Sequence, residues 1–253
     1  FQIISDLHLE TPLASPSYTY FSQSQNFPIY APNLCLLGDI GLAADPALFT
    51  FLRTLFTRSP TLRIFYILGN HECYTTTWCL AEDALDAFDD SCASTLGPGR
   101  FFFMSRRRVD ISPRLTLLGC TLWSHISAAQ TPLCARKLMD FHPGYGIRGR
   151  SIAQHNADHA VDLVWLNSQI STISNEEPER EVVVLTHHCP TVGPRAASPR
   201  HKGSAVSEAF ATDLRTEACW KSGNVRIWAW GHTHFDCVWG EGGRVLVSRQ
   251  KGY

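Results

Sequence analysis

The chain has 253 residues, of which 44% are hydrophobic and 18% charged, proportions of a globular protein and not of a disordered segment. Lys plus Arg number 22 against 23 Asp plus Glu. No bulk field therefore draws the molecule onto nucleic acid or an anionic membrane, and an anionic ligand has to be captured locally.

Nine cysteines without a CxxC pair fit neither a disulfide framework nor a zinc ribbon, and favour a reducing, cytoplasmic setting. The opening run Phe1 to Ser5 has no basic flank, and no long apolar span follows, so neither a signal peptide nor a membrane-spanning helix is expected. The absence of an initial Met points to a processed or truncated start.

Along the chain, Phe1 to Ile4 reads as a buried strand, followed by a long irregular loop from Thr11 to Asn33. Leu34 to Leu37 and Leu62 to Leu68 are further strands, and Pro46 to Phe56 between them has helical spacing. Thr77 to Phe88 is a second helix. The run Arg106, Arg107, Arg108 reads as a solvated turn, with phosphate steering as its alternative. Leu115 to Leu118 is a strand, Phe141 to Gly149 a Gly-rich connection without phosphate-cradling spacing, and Ser151 to Ile173 the most convincing helix. Val182 to Leu185 is a strand, Thr191 to Ser204 a loop rich in Pro and basic residues, and Val225 to Trp230 a strand. Cys237 to Trp239 and Val245 to Val247 follow with only turns between. Alternating strands and helices argue for an α/β sheet, and the strand-rich ending calls for a second sheet packed on the first. Residues 1 to 253 are expected to form one domain.

The polar residues at the strand ends carry the chemistry. Asp6 and His8 follow the first strand, Asp39 the second, Asn70 and His71 the third, His187 and His188 a later one, and His232 and His234 the next. Ligands of open α/β sheets gather at the carboxyl ends of strands, so these positions can converge on one crevice. Carboxylate oxygen and imidazole nitrogen suit borderline divalent ions such as Mn, Fe and Zn, and a carboxylate can bridge two ions. Two cations about 3.5 to 4 Å apart clamp phosphoryl oxygens and generate a bridging hydroxide near neutral pH. The pairs Asp6-Leu7-His8 and His232-Thr233-His234 are read as extended segments that point alternate side chains the same way. Gly38, Gly69 and Gly231 are read as permitting tight turns beside them.

Ser5-Asp6-Leu7-His8, Gly38-Asp39, Gly69-Asn70-His71-Glu72, Thr186-His187-His188 and Gly231-His232-Thr233-His234 resemble, in order, the five signature blocks of the calcineurin-like metallophosphoesterases. The resemblance implies a four-layer αββα sandwich, two packed mixed β-sheets flanked by helices. It implies that Asp6, His8, Asp39 and His234 hold one metal and that Asn70, His187 and His232, with Asp39 shared, complete the second site. His71 becomes the proton donor to the leaving oxygen or a stabiliser of phosphoryl charge. His187 is favoured over His188 by counting back along its strand, which leaves His188 to the surroundings or the substrate. Glu72 and Asp236 are candidate acceptors for the outer N–H of metal-bound imidazoles, with an ordinary structural role as the equal alternative for each.

Asp39 is followed by Ile40, Gly41, Leu42 and Ala43, where protein Ser/Thr phosphatases of the superfamily carry an Asp-Arg-Gly. A small phosphomonoester or phosphodiester is therefore preferred to a phosphoprotein. Arg249 to Tyr253, Gly119 to Ser124 and Asp140 to His155 resemble a bacterial and fungal branch of the superfamily. His155 and His159, an i, i+4 pair, lack a carboxylate or Cys partner and read as structural. His125 is a candidate for the cleft, Trp123 reads as core, and Cys73 and Cys189 as packing. A non-catalytic scaffold would show eroded ligands, and a nuclease would show a basic stripe with interleaved aromatics; neither feature is present.

Overall fold

The computed structural model describes residues 1–251. Gly252 and Tyr253, which end the Arg249 to Tyr253 block, lie outside the described residues. The elements run β1 (Gln2–Ile4), α1 (Tyr18–Phe21), β2 (Asn33–Leu37), α2 (Pro46–Arg58), β3 (Arg63–Ile67), α3 (Trp78–Leu96) and β4 (Phe101–Phe103). They continue with β5 (Arg107–Ser112), β6 (Leu115–Cys120), α4 (Thr131–Lys137), α5 (Ile152–Glu176), β7 (Glu181–Thr186), α6 (Ala218–Lys221), β8 (Val225–Trp230), β9 (Cys237–Glu241) and β10 (Arg244–Ser248).

Four strands, β1-β2-β3-β4, make one sheet that is parallel throughout. Six strands in the order β5-β6-β7-β8-β10-β9 make the other, with β6, β7, β8 and β10 parallel and the edges β5 and β9 antiparallel. Alternation along the inner strands explains why both faces are apolar. Leu34, Leu36, Ile64 and Tyr66 pack with α2 and α3, whereas Cys35, Leu37, Phe65 and Ile67 face the second sheet. On that sheet Val183, Leu185 and Ala229 close the layer between the sheets, and Val182, Val184, Trp228 and Trp230 pack beneath Leu166, Ile170 and Ile173 of α5. Helix, sheet, sheet, helix is the resulting order of layers.

The helices start where their caps dictate. Asp45 accepts from Ala47 N at 2.9 Å and Pro46 supplies the first helical position of α2, whose Leu48, Phe51, Leu52, Leu55 and Phe56 form one buried stripe. Each such side chain contributes roughly 1.5 to 3 kcal/mol on burial. Ser151 and Gln154 form a reciprocal capping box at α5, and α3 stops at Gly97, whose φ is +89°. Among the described residues no helix is long and apolar enough to cross a membrane.

The Arg106 to Arg108 run departs from its reading as a turn, since Arg107 and Arg108 open the edge strand β5. Each arginine has a structural acid: Arg106 pairs with Asp162 at 2.8 Å, Arg107 with Asp89, and Arg108 with Asp110 at 2.9 Å and Glu177 at 2.7 Å. Two of the three thus lie in a strand and not in a turn, and their acid partners give all three a structural role.

Candidate metal centre

The carboxyl ends of β1, β2, β3, β7 and β8 meet where the two sheets abut. Backbone bonds lace the loops together: Asp6 N to Gly38 O at 3.0 Å, His8 N to Asp39 O at 2.9 Å, and Gly231 N to His187 O at 2.9 Å. The loops are not extended. Asp6, His8, Asp39, His232 and His234 all adopt positive φ, between 47° and 65°. That conformation is costly for residues other than Gly and persists only where the surroundings over-determine it. Both paired segments therefore face the cluster through left-handed kinks and not through strand alternation, a correction to the sequence reading.

The glycines act by closeness more than by turning. Gly38 does have a φ of +87°, but a Cβ on Gly69 would lie 2.2 Å from Asp39 Oδ1, and one on Gly231 2.7 Å from Asp6 Oδ2. At both positions the missing side chain leaves room for a carboxylate.

Two groups of donors result. Donor atoms of Asp6, His8, Asp39 and His234 lie within 4.8 Å of one another, as do those of Asp39, His187 and His232. His234 Nε2 is 3.2 Å from Asp6 Oδ1 and 3.1 Å from His8 Nε2; His187 Nε2 is 3.4 Å from Asp39 Oδ1 and 3.1 Å from Asn70 Oδ1. Two donors each about 2.1 Å from one ion sit roughly 3 to 3.5 Å apart, so these spacings fit divalent cations. The set of N and O donors suits Mn, Fe or Zn. Asp39 belongs to both groups, and the structure brings all seven predicted ligands to one place.

Supporting bonds orient the donors. His187 Nδ1 lies 2.7 Å from Leu37 O, which turns Nε2 toward Asp39. Asn70 donates to Asp140 Oδ1 and to Tyr74 Oη, both at 2.9 Å, which turns its carbonyl oxygen toward His187. Asp6 accepts from His232 N. Glu72 does not serve an imidazole; it accepts from Asp39 N, Ile40 N, Gly69 N and Tyr66 Oη, tying the second and third loops together. Asp236 is likewise engaged elsewhere, accepting from Gln250 N.

His71 sits beside Asp39, with Nε2 3.9 Å from Oδ2. Burial disfavours its cationic form, but the charges of Asp39 and Glu10 outweigh that and raise its pKa to about 9 with only the protein's own charges around it. His188 is set apart. Its ring stacks at 4.2 Å on His232 and neighbours Trp123 and His155, and none of the donor groups includes it. Burial, then the neighbouring His232 and His187, holds its pKa well below the usual range.

Glu10, Tyr74 and Asp140 were not singled out from the sequence. For Glu10 a signal existed, because it continues the every-second-residue series Asp6, His8, Glu10. The other residues weighed fall outside the cluster. His155 pairs with Ser124 Oγ at 3.1 Å and His159 with Leu122 O at 2.8 Å, each as a structural contact. His125 is exposed, Trp123 is fully buried, and the thiols of Cys73 and Cys189 are buried with pKa values pushed up by burial.

A model of the calcineurin-like phosphoesterases matches residues 1–236. An uncharacterised protein of Acanthamoeba polyphaga mimivirus, L509, is 26% identical over 264 residues, covering 99% of this chain and 90% of the relative. Among solved structures, a phosphopantetheinyl hydrolase from Mycobacterium tuberculosis superposes with a TM-score of 0.66 at 15% identity, over 99% of this chain and 88% of that one. A dimetal phosphatase from Danio rerio does so with a TM-score of 0.50 at 15% identity, over 97% and 85%. With the match extending over nearly its whole length, the chain belongs to the calcineurin-like phosphoesterase family.

Proposed function

We propose that this protein hydrolyses a small phosphomonoester or phosphodiester at a centre of two divalent cations, in one domain spanning the whole chain. Asp6, His8, Asp39 and His234 hold the first cation; Asp39, Asn70, His187 and His232 hold the second. The observation that carries this reading is the sharing of Asp39 between two donor groups, each with donors within 4.8 Å. Two cations bound there supply charge for phosphoryl oxygens and lower the pKa of a water.

The chain's own residues do the rest. Asp39, held at its backbone N by Glu72 and accepting from His71 N through Oδ1, is fixed in orientation before any ligand arrives. His71 donates a proton to the departing alkoxide or stabilises charge on the phosphoryl group, a role worth roughly 10² to 10⁴ in rate. Phe210, which follows the Thr191 to Ser204 loop in sequence, stacks on His232 at 4.7 Å. A small substrate follows from the lack of an arginine after Asp39 and from near-neutral net charge, which also disfavours nucleic acid. All nine cysteines are free, which suits a reducing compartment such as the cytoplasm.

The test is turnover of p-nitrophenyl phosphate and bis-p-nitrophenyl phosphate by purified protein loaded with Mn, beside a metal-stripped sample and His71→Ala. Metal-dependent turnover that His71→Ala lowers supports the proposal. Tight metal binding without turnover of any ester in a wider panel overturns it in favour of a binding scaffold.

A further inference from the structure

Glu10 has no part in the donor groups that share Asp39, yet it is 4% exposed and lies against two histidines. Its Oε1 is 2.8 Å from His71 Nδ1 and 3.5 Å from His8 Nδ1. Two rings also pack on His71, Tyr74 at 4.3 Å and His8 edge-on at 4.3 Å, and His8 Nδ1 lies 3.2 Å from His71 Nδ1, farther than Glu10.

His8, Glu10 and His71 also satisfy the distance rule for a metal triad. Two of its separations, 3.5 Å from Glu10 to His8 and 3.2 Å from His8 Nδ1 to His71 Nδ1, would suit a shared cation, and the third sets Glu10 and His71 apart as a hydrogen-bonded pair. Two ligands on one ion lie roughly 3 to 3.5 Å apart, whereas 2.8 Å between Glu10 and His71 is the length of a charge-assisted hydrogen bond. His8 and His234 face each other through Nε2, so His8 presents that nitrogen to the first donor group and its Nδ1 to His71 and Glu10.

To give a proton to the leaving oxygen His71 must carry one on each nitrogen, the imidazolium form, in which the Nε2–H is transferred and the Nδ1–H is held back. A carboxylate at Nδ1 demands the proton there. It also fixes the rotation of the ring, which leaves Nε2 directed at the Asp39 side, 3.9 Å from Oδ2.

We infer that Glu10 is the positioning residue for His71: its carboxylate accepts the Nδ1–H and holds Nε2 toward the phosphoryl group. The inference rests on the phosphoesterase reading above. It deepens that reading by naming what keeps the proton donor in place, and Glu10 itself touches neither substrate nor cation. Its removal matters in proportion to how much the leaving oxygen needs a proton. Phenyl phosphate, with the poorer leaving group, depends on His71 more than p-nitrophenyl phosphate does.

The full-length chain saturated with Mn is assayed on both esters as wild type, Glu10→Ala and Glu10→Gln, and bound Mn is quantified in each. Glu10→Ala is expected to lose about 10- to 100-fold on phenyl phosphate and clearly less on p-nitrophenyl phosphate, at unchanged Mn content. Glu10→Gln, which keeps an acceptor oxygen, recovers most of the loss. In parallel, NMR of 15N-histidine-labelled protein should show a downfield Nδ1–H resonance, assigned by its loss in His71→Ala, that vanishes in Glu10→Ala and persists in Glu10→Gln. Equal losses on both esters, no loss, a drop in bound Mn, or a resonance that survives Glu10→Ala each overturns the assignment. If wild type turns over neither ester, the phosphoesterase reading fails, and the resonance alone decides whether Glu10 holds His71. Should Glu10→Ala not fold, Glu10→Asp, whose shorter side chain withdraws the carboxylate, carries the same comparison.

Discussion

Two histidine-rich regions lie side by side in this protein, and they differ in how they treat their imidazoles, although His232 of the first, through burial and then the His187 charge, is also held well below the usual range. Around Asp39 the rings face carboxylates and an amide oxygen: burial lowers the pKa of His187, but the Asp39 charge overrides it and raises the value to about 9. A few ångströms away His155 and His159 face a hydroxyl, a backbone carbonyl and aromatic rings. There burial, then the Arg150 charge, brings His155 down to about 3. His188 follows His187 in sequence but belongs to the second region by its neighbours. The lesson is that buried histidines alone do not make a cation site; the paired acids at strand ends do.

The largest expected effect comes from removing the acid that the two donor groups share. Asp39→Ala should abolish binding of both cations and lower turnover by several kcal/mol of transition-state stabilisation, on the order of 10³-fold or more. Metal stoichiometry by elemental analysis and activity on p-nitrophenyl phosphate measure it. Retention of one tightly bound ion would show that the groups are independent and that Asp39 does not bridge them.

Next in size is a matched pair that separates the regions at adjacent positions. His187→Phe should weaken Mn binding by more than about 10²-fold, beyond the usual cost of losing an outer partner. His188→Phe, which keeps a ring against His232, should leave affinity within about tenfold of wild type. Isothermal titration of Mn into each variant reads the difference, and a reversed order would move His188 into the cation site. Smaller again, Mn at about 100 times its dissociation constant should stabilise the folded chain by about 2.7 kcal/mol, seen as a rise in thermal midpoint. The same addition should leave the midpoint of Asp39→Ala unmoved.

Much of this organisation was legible in the chain, for identifiable reasons. Continuous apolar strands such as Leu34 to Leu37 are buried on both faces, so their signal is strong, and Pro46 and Ser151 carry explicit helix-start chemistry. Asp6, His8, Asp39, Asn70, His187, His232 and His234 stood out because they follow such strands. The strand Phe101–Phe103 and the polar edge strand Arg107–Ser112 did not, since one is three residues long and the other is held by side-chain ion pairs that only folding creates. Positive φ at five of the seven donors was also hidden, because Asp and His, though commoner there than most residues, signal a left-handed backbone far more weakly than Gly does. Glu72 could not be settled for a related reason: its position beside Asn70 and His71 allowed an outer partner or a structural residue, and only the fold shows its carboxylate satisfying backbone N–H groups.

The last effect, which emerges only in acid, tests the second region without touching the first. His155 is fully buried, bonded to Ser124 and flanked by Trp123 and Phe141. Arg150, His159 and His125 all disfavour its cationic form. Its folded pKa of about 3 lies below the roughly 6.5 of an unfolded histidine. The unfolded chain therefore takes up this proton first. Stability from the neutral ring is complete above pH 6.5 and is lost as pH falls toward 3, at about 1.4 kcal/mol per pH unit. Urea unfolding at pH 7, 6, 5 and 4 should show that acid limb, and in His155→Gln, which has no proton to gain there, the limb should be shallower by that slope while Mn affinity stays the same. An unchanged limb would mean that His155 is protonated in place, and the contrast between the two regions would then lie in their acids alone.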